Sequence, residues 1–360
     1  MRHLVTVRKI DDIVPIEGAD LIVVVKLDGW QCVAKKEEFK VGDLCVYFEI
    51  DSWVPHDVFP DLSKGKEPRI YEGISGQRLR TVKLRGQLSQ GLALPVGMFL
   101  DRFEGSKFDE GQELSEFFFI GNDLTNFLGV VKYEPPVPAE IAGQVEGQFP
   151  IFIKKTDQER CQNIVYEIFE ENKDSRYEVS MKGDGSSFTG FNRDIETGVC
   201  SRNYHLKIND DNANNTLVRM FIDSKMQQVL AEFGRNIAVQ AELMGPGIQA
   251  NREKFNSPKL FVFDIYDIDT ASYLPPTERL DVLNQLYKLG LDSSLVSHVP
   301  ILWNNVTLAD LGVTNVQELL ALADGPSMVH PIREGLVFKR LDGKFSFKAI
   351  SNKFLLKGGD

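Results

Sequence analysis

Apolar and polar residues alternate with a period of two over the first part of the chain. "HLVTVRKI", "LIVVVKL", "WQCVAKK" and "LCVYFEI" are short runs of this kind, which predict strands. Asp28-Gly29 separates the second from the third and predicts a tight hairpin. "QRLRTVKLRG" (77–86) is a further strand candidate. Short strands so closely spaced point to a small barrel or sandwich.

The pattern then breaks. "EPPVPAEIAGQVEGQFP" (134–150) is rich in Pro and Gly, has no apolar period and reads as a linker. Helical spacing follows. "TDQERCQNIVYEIFEENK" opens with Thr156 and Glu159 at capping-box spacing, and Ile164, Val165, Ile168 and Phe169 fall on one helical face. "NTLVRMFIDSKMQQVLAEFG" predicts a helix stopped at Gly234, and "TERLDVLNQLYKLG" another that ends in glycine. "TNVQELLALADG" repeats the box as Thr-x-x-Gln. Between these, "NIAVQAEL", "KLFVFDIYDI", "REGLVFKR" and "KFSFKAI" predict strands. The expected organisation is an all-β module over 1–133, a linker over 134–150 and an α+β domain over 151–360, with no internal repeat.

Composition narrows the function classes. Of 360 residues, 42% are hydrophobic and 26% charged, as in ordinary globular chains. No apolar run reaches membrane-spanning length, and "MRHLVTVRKIDD" lacks a signal-peptide core, so a cytoplasmic, nuclear or organellar protein is expected. Cys32, Cys45, Cys161 and Cys200 form no Cys-x-x-Cys pair and have no His cluster beside them. They read as reduced thiols rather than a zinc site or a disulfide framework. The formal net charge of −11 argues against coating nucleic acid by bulk attraction but leaves room for a local basic groove.

Residues 178 to 188 read "EVSMKGDGSSF". Tyr177, Val179 and Met181 alternate with Glu178 and Ser180, so Lys182 falls at a strand end and Asp184-Gly185 reads as a two-residue turn. Such a lysine is as readily a solvated hairpin charge as a nucleophile. Further polar residues sit at strand positions: Arg202 and Asn203 in "CSRNYH", Glu242 in "VQAELMGPG", Glu334 in "REGLVFKR" and Lys348 in "SFKAIS". A lone Glu beside a strand is usually solvated, but several such positions in one domain, beside Gly-rich turns, suggest shared chemistry. A lysine amine attacks only when neutral, and its free pKa of ~10.4 must be brought down by burial or neighbouring cations. A second lysine and a divalent metal on hard carboxylate oxygens would do this. An electrophile that calls for lysine, metal and carboxylates together is a nucleoside triphosphate, with charge growing on its α-phosphate. Phe263 in "FVFDIYD" is a candidate to stack on the base. Neither a G-x-x-x-x-G-K-[ST] loop nor a kinase motif set is present.

Taken in order, these segments resemble the covalent nucleotidyltransferase superfamily of polynucleotide ligases and mRNA capping enzymes. "KGDGSS" resembles motif I, "SRN" motif Ia, "AELMG" motif III, "FVFDI" motif IIIa, "EGLVFK" motif IV and "SFKAISNKFLLK" motif V, over roughly residues 150–360. The finer resemblance is to the Deinococcus- and Naegleria-type RNA ligases. It rests on "IKKTDQERCQN" ahead of motif I, on the step from Lys182 to Arg202, and on an N-terminal part, "KIDDIVPIEGADLIVVVKLDGWQCVAKK", similar to their OB module. DNA ligases and capping enzymes carry an OB domain after motif V, and none is expected after Lys348.

The resemblance implies an ATP-dependent RNA ligase acting on RNA with 3′-OH and 5′-phosphate ends, with ATP as substrate and Mg2+ or Mn2+ as cofactor. It further implies an ATP-grasp-like ligase domain of antiparallel sheets and helices, and a monomer without a membrane partner. Lys182 is the expected nucleophile that forms lysyl-AMP. Arg202 is expected on the ribose, Phe263 on adenine and Lys348 on the α-phosphate, with Glu242 also among the nucleotide-binding residues. Asp184, Glu242 and Glu334 are expected to place the metal, directly or through its waters. Arg160 is a candidate for the outer phosphates or the RNA 5′-phosphate, and equally reads as a surface helix charge. Motif V often reads Lys-x-Lys. Here Ile350 takes the second place, so that role falls to Lys353 or Lys357 or is missing. Two other readings remain: a nucleic-acid-binding protein with an inactive nucleotidyltransferase-like domain, and a DNA-joining or capping enzyme. In the N-terminal module, "QRLRTVKLRG" puts Arg78 and Arg80 on one strand face and Lys83 and Arg85 on one face further along. These could track an RNA backbone or solubilise an edge strand.

Overall fold

Burial follows the period-two pattern of the first strands. In Trp30–Lys35, Trp30, Cys32 and Ala34 are buried while the residues between them are not. The computed structural model describes residues 3–104, 117–134 and 143–357. The chain divides into two compact units, Met1–Pro136 and Val137–Asp360.

The first unit is built mainly of strands. Leu44–Phe48 is the centre of a three-stranded sheet, paired antiparallel with Val5–Lys9 and Leu92–Pro95. Its alternate side chains enter two cores: Val46 and Phe48 join Val5, Val7, Leu94 and Phe99, while Cys45 and Tyr47 join Val25, Trp30 and Phe39. Asp12–Pro15, Ile22–Leu27 and Trp30–Lys35 form a meander. Its Asp28-Gly29 turn has both residues at positive φ, 47° and 79°, the geometry the sequence pair predicts. The stretch 77–86 is not one strand. Ile74–Arg78 ends at Arg78, where Leu79 turns into the core and exchanges main-chain hydrogen bonds with Asp51 and Ser52. Val82–Leu84 then starts a separate hairpin with Gln87–Ser89, turned at Arg85-Gly86.

The second unit holds two larger sheets. The first runs in the order Val145–Gln148, Tyr204–Leu206, Glu196–Cys200, Ser186–Arg193, Ile237–Met244, Lys259–Asp267 and Ser272–Tyr273, with Val296–His298 also beside Lys259–Asp267. The second runs in the order Glu159–Arg160, Ser346–Ile350, Gly335–Arg340, Tyr177–Lys182 and Ile301–Val306. The pairings are antiparallel except Glu159–Arg160 with Ser346–Ile350 and Lys259–Asp267 with Val296–His298. Helices Thr216–Asp223, Met226–Phe233 and Pro276–Lys288 cover the first sheet, and Val316–Ala323 covers the second.

Four local expectations change. The segment read as a linker contains the strand Val145–Gln148, paired to Tyr204–Leu206; residues 135–142 of it lie outside the described residues. No helix starts at the Thr156–Glu159 box. Glu159–Arg160 instead joins the sheet edge, and Glu159 accepts from Asn163 Nδ2 at 2.6 Å. The helix read across 215–234 is two helices, because Lys225 turns left-handed (φ 61°) and the Ser224 carbonyl accepts from Asp292 N. Gly234, at φ 71°, stops the second as expected. The later cap lies one residue beyond the predicted box. Asn315 accepts from Glu318 N, and Glu318 reaches back to Thr314 N.

Candidate active site

Lys182 is the last residue of Tyr177–Lys182, as its alternation predicts. The turn after it is not a hairpin. Tyr177–Lys182 has Gly335–Arg340 and Ile301–Val306 on its two edges, and Ser186–Arg193 has Glu196–Cys200 and Ile237–Met244. With both edges taken, the two strands cannot pair, so Gly183, Asp184 and Gly185 carry the chain from one sheet to the other. Lys182 therefore stands where the sheets part. Gly185 has to be glycine: an added Cβ would overlap the Leu243 carbonyl oxygen and meet Glu242 Cγ at 2.9 Å.

Three carboxylates surround this lysine. Gly335 is the register partner of Lys182, which brings the preceding Glu334 to 2.6 Å from Lys182 Nζ. Gly335 is equally constrained, since a Cβ there would run into the Ala349 carbonyl. Glu242 lies opposite Ser187 on the neighbouring strand, and its carboxylate accepts from Gly185 N–H. Asp184 meets Arg252 Nε at 3.2 Å, and that guanidinium lies 4.5 Å over the Phe354 ring.

Charge in the site is unbalanced. Burial, then the neighbouring Glu334, push the Asp184 carboxyl above its usual range against the pull of Arg252. Burial raises Glu242 to about 7 against the pull of Lys182, with Glu334 adding to the rise. Burial disfavours the charged Lys182 amine, but Glu334 and Glu242 outweigh it, and its pKa lies above the ordinary lysine value. One Glu334 oxygen is buried without a hydrogen-bond partner. Among the described residues, no three His, Cys, Asp or Glu side chains converge as direct metal ligands.

A cationic group adjoins the lysine. Lys348 is in parallel register with Arg160 and antiparallel register with Val337. Its Nζ lies 3.8 Å from Asp157 Oδ1, which is also 3.3 Å from Arg202 Nη2. Burial, aided by Arg160, Lys182 and Arg202 and opposed by Asp157, brings the Lys348 pKa down to about 8. Arg160 is half-buried on a strand, not on a surface helix. Ile350 points into the core, and Lys353 pairs with Asp324 at 3.4 Å.

Phe263 occupies a bulge. The register steps from Gln240–Asp264 to Ala241–Val262 and leaves Phe263 without a partner residue. The ring is half-buried beside Met244, Phe261 and Val299. Sequence reasoning missed Asp157 and Arg252, because a loop residue that pairs with a residue far along the chain leaves no periodic signal.

The four basic residues of 77–86 do not share one strand. Arg78 lies on Ile74–Arg78, bound to Asp51 and stacked 4.9 Å from the Tyr133 ring. Arg80 lies in the connection, Lys83 on Val82–Leu84 and Arg85 at the turn, all exposed. The four cysteines are free and buried. No helix among the described residues is long and apolar enough to cross a membrane.

Comparisons with known proteins agree with this architecture. A family model of RNA ligases matches residues 175–350, and one of an OB-fold domain matches residues 4–96. The first unit thus contains an OB-fold domain and the second the ligase domain. A Naegleria gruberi RNA ligase solved with PPi is 46% identical, with 99% of each chain covered and a TM-score of 0.77. A Glu-to-Ala variant solved with ATP and Mn is 46% identical, with 100% of each chain covered and a TM-score of 0.78. A variant solved with AMP and Mn is 46% identical over 99% of each chain, with a TM-score of 0.77. No curated protein matches the chain. At this identity over the full length, the chain belongs to the RNA ligase family.

Proposed function

We propose that the enzyme uses ATP to join RNA 3′-OH and 5′-phosphate ends, including nicks in a duplex, through a lysyl-AMP intermediate. The observation that carries this reading is the lysine at the parting of two sheets, enclosed by Asp184, Glu242 and Glu334 and flanked by Lys348. Lys182 Nζ, once deprotonated, attacks the α-phosphorus of ATP. The bond to pyrophosphate breaks and the AMP stays on the amine. The RNA 5′-phosphate then takes the AMP from Lys182, and the 3′-OH attacks that phosphorus and expels AMP. Related ligases solved with ATP and Mn, with AMP and Mn and with PPi support the same ligands here.

Each flanking residue has a place in this scheme. Lys348, with Arg160 nearby, carries positive charge to the α- and outer phosphates. Arg202 serves the ribose and Phe263 stacks on adenine. Asp184, Glu242 and Glu334 would hold a divalent cation, Mg2+ or Mn2+. The site fits one: burial, with the nearby Glu334 charge adding to it, pushes up two carboxylates, and a Glu334 oxygen is buried and unpaired. Since no three side chains converge as direct ligands, the ion's own waters would complete its shell. When bound, it would neutralise the carboxylates that keep Lys182 charged and the charge on the phosphate. Arg80, Lys83 and Arg85 would meet the RNA backbone.

Incubation with α-labelled ATP and metal, followed by a denaturing gel, tests the central step. Label should stay on the protein and be absent from Lys182→Ala. Label on Lys182→Ala, or none on the wild type, overturns the assignment.

A further inference from the structure

A buried charged network lies behind the strand that carries Phe263. Lys339, on Gly335–Arg340, sits 2.7 Å from Asp264 and donates to the Phe263 main-chain carbonyl. Its Nζ is 5.6 Å from the centroid of the Phe263 ring. Asp264 also accepts from Gln158 Nε2 and lies 3.8 Å from Arg279 Nη1. Arg279, fully buried, binds Glu178 and donates from Nε to His298 Nε2 at 3.0 Å. Glu178 and Lys339 are register partners in one sheet, while Asp264 and His298 belong to the other. The network thus ties the two sheets together.

Lys339 has a second task that the other members lack. Phe263 is the bulged residue, so the strand ladder does not fix its peptide. A charge-assisted hydrogen bond from a buried ammonium is strong and directional enough to fix it instead. We propose that Lys339 is a positioning residue for the nucleobase, holding the Phe263 peptide so that the ring is set against the base. This rests on the reading that Phe263 stacks on adenine. The competing account is that Lys339 only balances the charge of Asp264.

The test is the ATP dependence of lysyl-AMP formation in single-turnover experiments on the full-length enzyme. Lys339→Met should raise the ATP concentration for half-maximal rate about tenfold, the order of one base–aromatic stacking contact, with little change at saturating ATP. Asp264→Asn leaves Lys339 its hydrogen bond to the Phe263 carbonyl, as an ammonium or a neutral amine, and should weaken ATP use less than Lys339→Met does. The double variant Asp264→Asn, Lys339→Met buries no unpaired charge, so it folds even where Lys339→Met alone does not. It should show the same rise. In a Phe263→Ala background, Lys339→Met should add nothing. If Phe263→Ala weakens ATP use but the lysine variants do not, or if Asp264→Asn weakens it equally, Lys339 is charge balance and the inference fails. If Phe263→Ala has no effect, the stacking reading itself fails.

Discussion

Glu334 holds Lys182 at 2.6 Å and, with Glu242, keeps the amine charged in the free protein. A charged amine cannot attack, so this pair restrains the nucleophile as well as placing it. Lys182→Ala and Lys182→Arg should both lose lysyl-AMP formation, the second because arginine stays protonated. Glu242→Ala and Glu334→Ala should each slow it by orders of magnitude, with partial recovery in excess Mn2+. Adenylylation rates across a metal titration check this. Wild-type rates for both Glu variants would make them ordinary strand-edge carboxylates.

Lys348 gives a pH prediction of definite sign. Its pKa is brought down to about 8, so it is charged below that pH and neutral above it. A neutral amine no longer attracts phosphate. Affinity for an ATP analogue that cannot transfer AMP should therefore fall as pH rises through about 8. Lys348→Arg stays protonated there and should lack the fall centred near pH 8, even at lower affinity. Parallel profiles for the two proteins would remove Lys348 from the phosphate site.

Much of the site was legible because the segments that carry it are strands of strong alternation. Lys182 stands at a strand end, where the pattern puts it, while Glu334, read within a strand, lies just before one. What the pattern could not give was which strands pair. Asp184-Gly185 has the residues of a hairpin turn, yet the partners of each strand come from far along the chain, and the turn becomes a crossing between sheets. The Thr156–Glu159 box failed for a similar reason. Pairing of Glu159–Arg160 with Ser346–Ile350 overrides a local helix signal. The cluster of Arg78, Arg80, Lys83 and Arg85 was broken by one apolar residue, Leu79, whose burial ends the strand.

His298 should make stability depend on pH. Its Nδ1 faces the Val299 carbonyl at 2.6 Å and so carries the proton, while Nε2 accepts from Arg279. Burial, then the Arg279 charge, lower its pKa to about 4. An unfolded histidine takes up a proton near ~6.5, so over the window from about 6.5 down to about 4 the unfolded state binds more protons. Stability is then lost as pH falls through that window. His298→Gln keeps an acceptor for Arg279 but cannot titrate. Between about pH 7 and about pH 5, the wild-type melting temperature should drop more steeply than that of the variant. Equal slopes would mean that another group carries the acid sensitivity.

The N-terminal hairpin offers the last prediction, and the structure changes which residues it concerns. Arg78 is committed to Asp51 and to the Tyr133 ring, so its side chain is a structural support of that sheet. Arg80, Lys83 and Arg85 are exposed on and beside a two-stranded hairpin, where Val82 and Leu84 are also exposed. Contacts with phosphates release counterions, and each contributes roughly 0.7–0.9 to the slope of log affinity against log salt. Replacing Arg80, Lys83 and Arg85 by Ala should weaken binding to nicked RNA and flatten that slope by about two to three. Lysyl-AMP formation should be unchanged, since none of the three is part of the adenylylation site. Arg78→Ala should instead lower the melting temperature. An unchanged salt slope in the triple variant would place RNA binding elsewhere on the enzyme, and a loss of lysyl-AMP formation would mean that the hairpin serves ATP chemistry rather than RNA.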